Sequence, residues 1–210
     1  MGKTERKIRS DKKKDVKPTI DHELYECVSR ISHITNTPIK NVGETFCIHG
    51  LYSRKVIEHL SEKFRRDYKF QNTIFIGDRN LQLGRTRRRG GINTRITMRF
   101  SQDIYDQLSE LAFALDTTVS TATGILLRAS IYNTDIVNEY VSEYVEGLLD
   151  DNRKKQLSLV LKYIRKENPY ETDDITLAQL VSYIMGNLMD KSRNVKQAVE
   201  DWLDSVTKQD

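Results

Sequence analysis

The sequence predicts a mainly α protein in which a short strand followed by helices occurs twice, with a helical extension after the second copy. Three observations predict it. Thr94-Arg95-Ile96-Thr97-Met98-Arg99-Phe100 alternates polar and apolar residues without a break, the pattern of a half-buried strand. The segments around it carry apolar residues at helical spacing. The chain also superimposes on itself at a shift of 80 residues.

The elements follow in order. Residues 1–20 hold eight Lys/Arg against three acids, and 1–15 reads as a disordered basic arm. Leu24, Val28, Ile31 and Ile34 then mark a first helix, punctuated by Asn36-Thr37-Pro38. A second helix runs from about Ile39 to Leu51, and a third carries Val56, Leu60 and Phe64. Asn72 to Asp78 reads as a short strand or a buried loop. The basic linker RNLQLGRTRRRGGIN follows, with Gly90-Gly91 as a joint. After the alternating strand, Ser101 looks like a helix cap, and Ile104, Leu108, Leu111, Ala112 and Leu115 build an amphipathic helix. Asp116-Thr117-Thr118 breaks it. Ser120 is the expected N-cap of the next helix, with Leu126, Leu127 and Ile131 inward. Ile136, Tyr140, Tyr144 and Leu148 make a further helix after Asn133. Leu157–Ile164, Ile175–Leu188 and Val195–Val206, the last with Trp202, are the helical segments of the extension.

The repeat needs no gap from residue 16 to about residue 66. Tyr25 falls on Tyr105, Ser29 on Ser109, Thr37 on Thr117 and Tyr52 on Tyr132. Val28 falls on Leu108, Ile39 on Val119 and Val56 on Ile136. The resulting division is an arm at 1–15, a first, degenerate unit at 16–67, a connection with the basic linker at 68–93, a second unit at 94–152, and an oligomerisation or partner-docking region at 153–210.

The net charge is only +4, but it is unevenly placed. Residues 79–99 hold seven Arg and no acid, whereas 100–152 hold ten acids against Arg128 alone. Such asymmetry suggests a polyanionic partner, nucleic acid first. No run of about 18 apolar residues exists, so no membrane span is expected. No apolar stretch follows MGKTERKIRSDKKKD, so no secretory signal is expected, and a cytoplasmic location follows. The cysteines are two, Cys27 and Cys47. With His33 and His49 they do not form a recognised zinc spacing, and a buried thiol and a packed imidazole account for them. The acidic pairs Asp150-Asp151 and Asp173-Asp174 sit at helix ends, where capping accounts for them. There is no phosphate-cradling loop, no His-Glu-x-x-His and no nucleophile beside a base. Neither an enzyme nor a cofactor is expected.

A strand of alternating residues, then a helix, a tight turn and a second helix, resembles the ribbon–helix–helix family of DNA-binding proteins, the Arc/CopG/MetJ type. The resemblance covers residues 94–132 well and 16–52 loosely. It implies a β-ribbon lying in the major groove of double-stranded DNA, with Ile96, Met98 and Phe100 inward and Arg95, Thr97 and Arg99 toward the bases. Arg offers a bidentate fork to guanine, and Thr a hydroxyl and a methyl. It further implies a phosphate held by the amides of Thr118, Val119 and Ser120 at a helix start. Arg85, Arg87, Arg88 and Arg89 would add phosphate contacts from the adjoining arm. Family members are transcriptional repressors, partition proteins, antitoxins and relaxosome accessory proteins, and they act as dimers or higher oligomers. A helical protein-interaction adaptor or antitoxin, and RNA binding through the Arg-rich arm, remain alternatives. Two departures stand out. Pro18 falls where Met98 sits and removes a ladder donor, leaving Asp15, Lys17 and Thr19 as the outward set of a weak strand. Gly124 lies inside a helix. The strong strand beside the weak one slightly favours a ribbon made between two chains over one made within a chain, and the long connection of residues 67–93 permits either.

Overall fold

The computed structural model describes residues 13–81, 92–144, 150–166 and 169–170. The first twelve residues, the Arg85–Arg89 cluster, Leu148 and everything beyond Tyr170 (Trp202 included) lie outside the described residues.

The chain opens with β1 (Lys14–Val16) and β2 (Thr19–Asp21), then α1 (His22–Thr35), α2 (Ile39–Tyr52) and α3 (Arg54–Ser61). A hairpin follows, β3 (Tyr68–Phe70) with β4 (Thr73–Phe75), turning at Gln71 with φ 51°. Then come β5 (Asn93–Arg95), β6 (Met98–Phe100), α4 (Gln102–Ala114), α5 (Val119–Tyr132), α6 (Thr134–Tyr144) and α7 (Asp151–Lys166). The fold is mainly helical with short antiparallel strand pairs.

β1 pairs with β6 and β2 with β5, both antiparallel. Lys14 faces Phe100, Val16 faces Met98, Thr19 faces Arg95 and Asp21 faces Asn93. The two ladders share one register, so residues 14–21 and 93–100 form a single two-stranded ribbon within the chain. This corrects the balance that favoured a ribbon between chains, and it places Lys14 and Asp15, assigned to the basic arm, in a strand. Pro18 does not prevent the pairing. Its carbonyl accepts from Ile96 N at 3.2 Å, and only the return bond is lost, because proline has no N–H. Burial alternates along both strands. Val16, Pro18, Ile20, Ile96, Met98 and Phe100 are buried, and the residues between them face solvent or lie at the edge of it.

Beneath the ribbon the helices recur at the shift seen in the sequence. α2 and α5 begin and end 80 residues apart, at Ile39–Tyr52 and Val119–Tyr132. The turns before them match as well. Asn36 and Asp116 both take φ 52°, the left-handed conformation that Asn and Asp tolerate. Thr37 N donates to Ser32 O at 3.1 Å, and Thr117 N to Ala112 O at 3.0 Å. Asn133 Oδ1 accepts from Asp135 N at 3.0 Å and caps α6, while Ser53 Oγ accepts from Val56 N at 3.4 Å and caps α3.

Three local expectations change. Thr118, not Ser120, is the N-cap of α5, with its Oγ1 accepting from Thr121 N at 3.2 Å. Ser101 holds the N-cap position of α4, but its hydroxyl serves the Asp103 carboxylate, which that bond holds below the usual range. α3 stops at Ser61. Phe64 is buried beyond it, in an aromatic cluster with Tyr68 and Phe75, at centroid distances of 5.2 and 6.3 Å.

The core lies between the ribbon and the crossing of α2 on α5. At that crossing Gly50 meets Ser130, its counterpart in the repeat. A Cβ on Gly50 would stand 2.0 Å from Ser130 Oγ, 3.2 Å from Ser130 Cβ and 3.1 Å from Leu126 Cδ1. Gly50→Ala is therefore expected to destabilise the protein by about 1–3 kcal/mol. Ser130→Gly in the same chain should restore most of the loss in urea denaturation. A double variant no better than the single one would remove this crossing as the cause. Gly124 is the opposite case. A Cβ there would meet Pro18, Ile20 and Thr19 O at 3.5–3.8 Å, ordinary contacts. Gly124→Ala is expected to raise stability by up to about 1 kcal/mol through helix propensity alone.

α7 and the β3–β4 segment pack on the outside of this core. α7 lies on α1, with Leu157, Val160, Leu161 and Ile164 buried. Arg30 Nη1 donates to Gln156 Oε1 at 2.6 Å, and Tyr163 stacks on Tyr132 at 5.5 Å. Asp150 caps α7 through Arg153 N at 2.8 Å. This helix, expected to serve oligomerisation or partner docking, packs within the chain. The β3–β4 segment covers the end of α4. Arg65 N and Arg66 N both donate to Ala114 O, at 2.8 and 3.1 Å, and both guanidiniums pair with Asp116.

Candidate nucleic-acid interface

The solvent face of the ribbon carries Asp15, Lys17 and Thr19 from one strand and Arg95, Thr97 and Arg99 from the other, all exposed. The register sets Asp15 opposite Arg99 and Thr19 opposite Arg95, and so Lys17 opposite Thr97 in the middle. Alternate strand residues stand about 6.8 Å apart, close to two base-pair steps of duplex DNA. Three cations share this face with one carboxylate, so its charge is positive.

The two arginines are held differently. Arg99 Nε donates to Asp15 Oδ1 at 3.0 Å, and Arg99 N donates to Glu44 Oε1 at 2.8 Å, which ties the strand to the second turn of α2. The Arg99 and Asp15 side chains are 63% and 43% exposed, so their attraction is worth at most about 1 kcal/mol and orients more than it stabilises. The Arg95 side chain has no hydrogen bond or ion pair among the described residues, and neither do those of Lys17 and Thr97. The β-carboxylate of Asp21, at the end of β2, caps Leu24 N at 3.0 Å and also takes Arg128, fastening the ribbon's end to α5.

Thr118, Val119 and Ser120 open α5, whose second turn places Gly124 against Pro18 and Ile20 of the ribbon. Thr118 O receives the first intrahelical bond, from Ala122 N at 2.9 Å, and Thr118 Oγ1 takes Thr121 N. The amides of Val119 and Ser120 precede these donors and have no acceptor among the described residues. At the matching start of α2 stand Pro38, Ile39 and Lys40, where Pro38 has no side-chain cap bond and no N–H to offer. The structure thus brings Arg95, Thr97 and Arg99 onto one face and sets Thr118–Ser120 at the start of a helix that packs under it. Arg85, Arg87, Arg88 and Arg89 lie outside the described residues.

Sequence reasoning passed over Lys17 and Asp15, dismissed as part of a weak strand, and Glu44. The signal for Lys17 was available, because it matches Thr97 in the repeat and shares its outward parity.

Cys27 and Cys47 are both buried, and burial pushes both thiols well above their ordinary range. His33 is exposed rather than packed, 3.3 Å from Asn152 Nδ2, and His49 is half-buried, 3.8 Å from Glu139. Among the described residues no group of three or more His, Cys, Asp or Glu is placed to hold a metal ion. Both thiols are expected to resist an alkylating reagent at pH 8 in the folded protein and to react fully in urea, as read by mass spectrometry. Rapid labelling of either in the native state would contradict its burial.

Among the described residues no helix is long and apolar enough to cross a membrane. Comparison with protein-family models, curated proteins and solved structures finds no match.

Proposed function

We propose that this chain is a sequence-specific double-stranded DNA-binding protein that reads the major groove with its β-ribbon. One observation carries the reading. Arg95, Thr97 and Arg99 stand exposed on one side of a two-stranded ribbon whose other side, Ile96, Met98 and Phe100, is sealed into the core. A two-stranded ribbon fits the major groove, and an Arg fork matches guanine O6 and N7. The helices recurring 80 residues apart, and the helix starts placed beside the ribbon, support a duplicated ribbon–helix–helix unit folded as an intrachain pseudo-dimer. Lys17 joins the reading face. The Val119 and Ser120 amides would hold a backbone phosphate. Arg85, Arg87, Arg88 and Arg89 add phosphate contacts that carry affinity without sequence.

The test is binding of the purified protein to duplexes tiled across its own upstream and neighbouring DNA, at about 150 mM salt with excess random competitor, because low salt reports phosphate contacts alone. Wild type and an Arg95/Thr97/Arg99 triple alanine variant run side by side. The expected result is a discrete retained site, lost in the variant. A site upstream of its own gene makes the protein a repressor or regulator. A site elsewhere makes it a nucleoprotein-assembly factor of a mobile element. Uniform weak binding, equal in both proteins, would end the ribbon reading and leave the adaptor, antitoxin or RNA-binding alternatives. Neutralising Arg87, Arg88 and Arg89 together is expected to weaken binding to all duplexes and to flatten the salt dependence.

A further inference from the structure

We infer that the duplex this chain reads is not self-complementary and is bound by one chain per site, an inference that rests on the DNA-reading proposal and specifies its target. A ribbon of two identical strands presents the same side chains to both halves of its site, and an inverted repeat answers it. Here both strands belong to one chain, and their outward faces differ at every position.

The pseudo-dyad passes between Lys17 and Thr97, which face each other and occupy the same place in the repeat. Rotation about it would exchange Asp15 with Arg95 and Thr19 with Arg99. None of these exchanges preserves the chemistry. One end of the ribbon presents Arg95 beside Thr19, an exposed guanidinium with no hydrogen bond or ion pair among the described residues. The other end presents Arg99 with its Nε already on Asp15, next to a carboxylate. A guanidinium fork suits guanine O6 and N7. A carboxylate repels those acceptors and suits the exocyclic amino group of cytosine. The flanks differ in the same sense, since α5 opens on Thr118, Val119 and Ser120 whereas α2 opens on Pro38, Ile39 and Lys40. The pairing edge of strand 93–100, which a symmetric dimer would share with a second copy, is occupied by the chain's own residues 14–21.

The experiment is selection of bound sequences from a pool of random duplexes at about 150 mM salt, with the mass of the selected complex measured alongside. The full-length wild type is compared with an Asp15→Arg/Lys17→Thr/Thr19→Arg variant, which puts Arg, Thr and Arg outward on both strands. Its arginines would oppose the existing ones across the ribbon, so its folding is checked by urea denaturation, and the wild-type motif and the mass of the wild-type complex decide the inference should it not fold. The expected wild-type motif is non-self-complementary, with its guanine contact in one half and one chain per duplex, and the symmetrised variant shifts it to an inverted repeat. A self-complementary wild-type motif, or two chains per site, would overturn this inference and leave base reading standing. No enriched motif in any of the proteins would overturn base reading and this inference together.

Discussion

Replacing Met98 with alanine is expected to cost the fold about 2–5 kcal/mol, the range for truncating a large buried side chain. Met98 is fully buried under the ribbon. Its Sδ lies 2.7 Å from where a Cβ on Gly43 would stand, so it fills a slot that α2 opens by carrying glycine there. Truncation removes apolar burial and leaves a cavity that the α2 backbone and the paired strand leave little freedom to close. Urea denaturation measures the loss. A cost below about 0.5 kcal/mol would mean that the ribbon does not rest on the helices as described. The variant should still bind DNA at temperatures where it is folded, because its reading face is untouched.

Arg95→Ala, three positions away on the other face, is expected to do the reverse. Its stability should stay within about 0.5 kcal/mol of wild type, since the side chain is exposed and has no partner among the described residues. Affinity for the specific site should fall by about 1–3 kcal/mol, roughly five- to 150-fold, with little change on random duplexes. Equal losses on specific and random DNA would make Arg95 a phosphate contact and remove it from base readout. Arg99→Ala should differ from it. It strips Asp15 of its counter-charge and turns a bare carboxylate toward the duplex, so it weakens binding on every sequence in addition to a larger loss at the specific site.

Much of the architecture was legible because it depends on local chemistry. The inward set of strand 94–100, the apolar stripes of the helices and the turns at Asn36 and Asp116 follow from side-chain period and from residues that tolerate positive φ. Cap placement was less legible. Thr118 and Ser120 are both good caps two residues apart, and the choice depends on where the turn after Asp116 leaves the chain. The end of α3 was misplaced because Phe64 keeps the helical period while being buried for another reason, its ring contacts with Tyr68 and Phe75.

The candidate site divides in the same way. The outward parity of Arg95, Thr97 and Arg99 is a property of alternation, and the sequence alone determined it, together with the shift of 80 residues that relates the two halves. Which strand lies beside 93–100 is a long-range pairing, and only the tertiary structure decided it. Taken residue by residue, 14–21 is a weak strand because Pro18 removes a donor. The burial of Val16, Pro18 and Ile20 and the paired ladder on both sides of the gap outweigh that one lost bond. The same pairing brings Asp15 to Arg99 and leaves Arg95 unpaired among the described residues. The asymmetry of the proposed reading face therefore has two sources: the outward residues of the two strands differ in the sequence itself, and the contact of Asp15 with Arg99 is made by the fold.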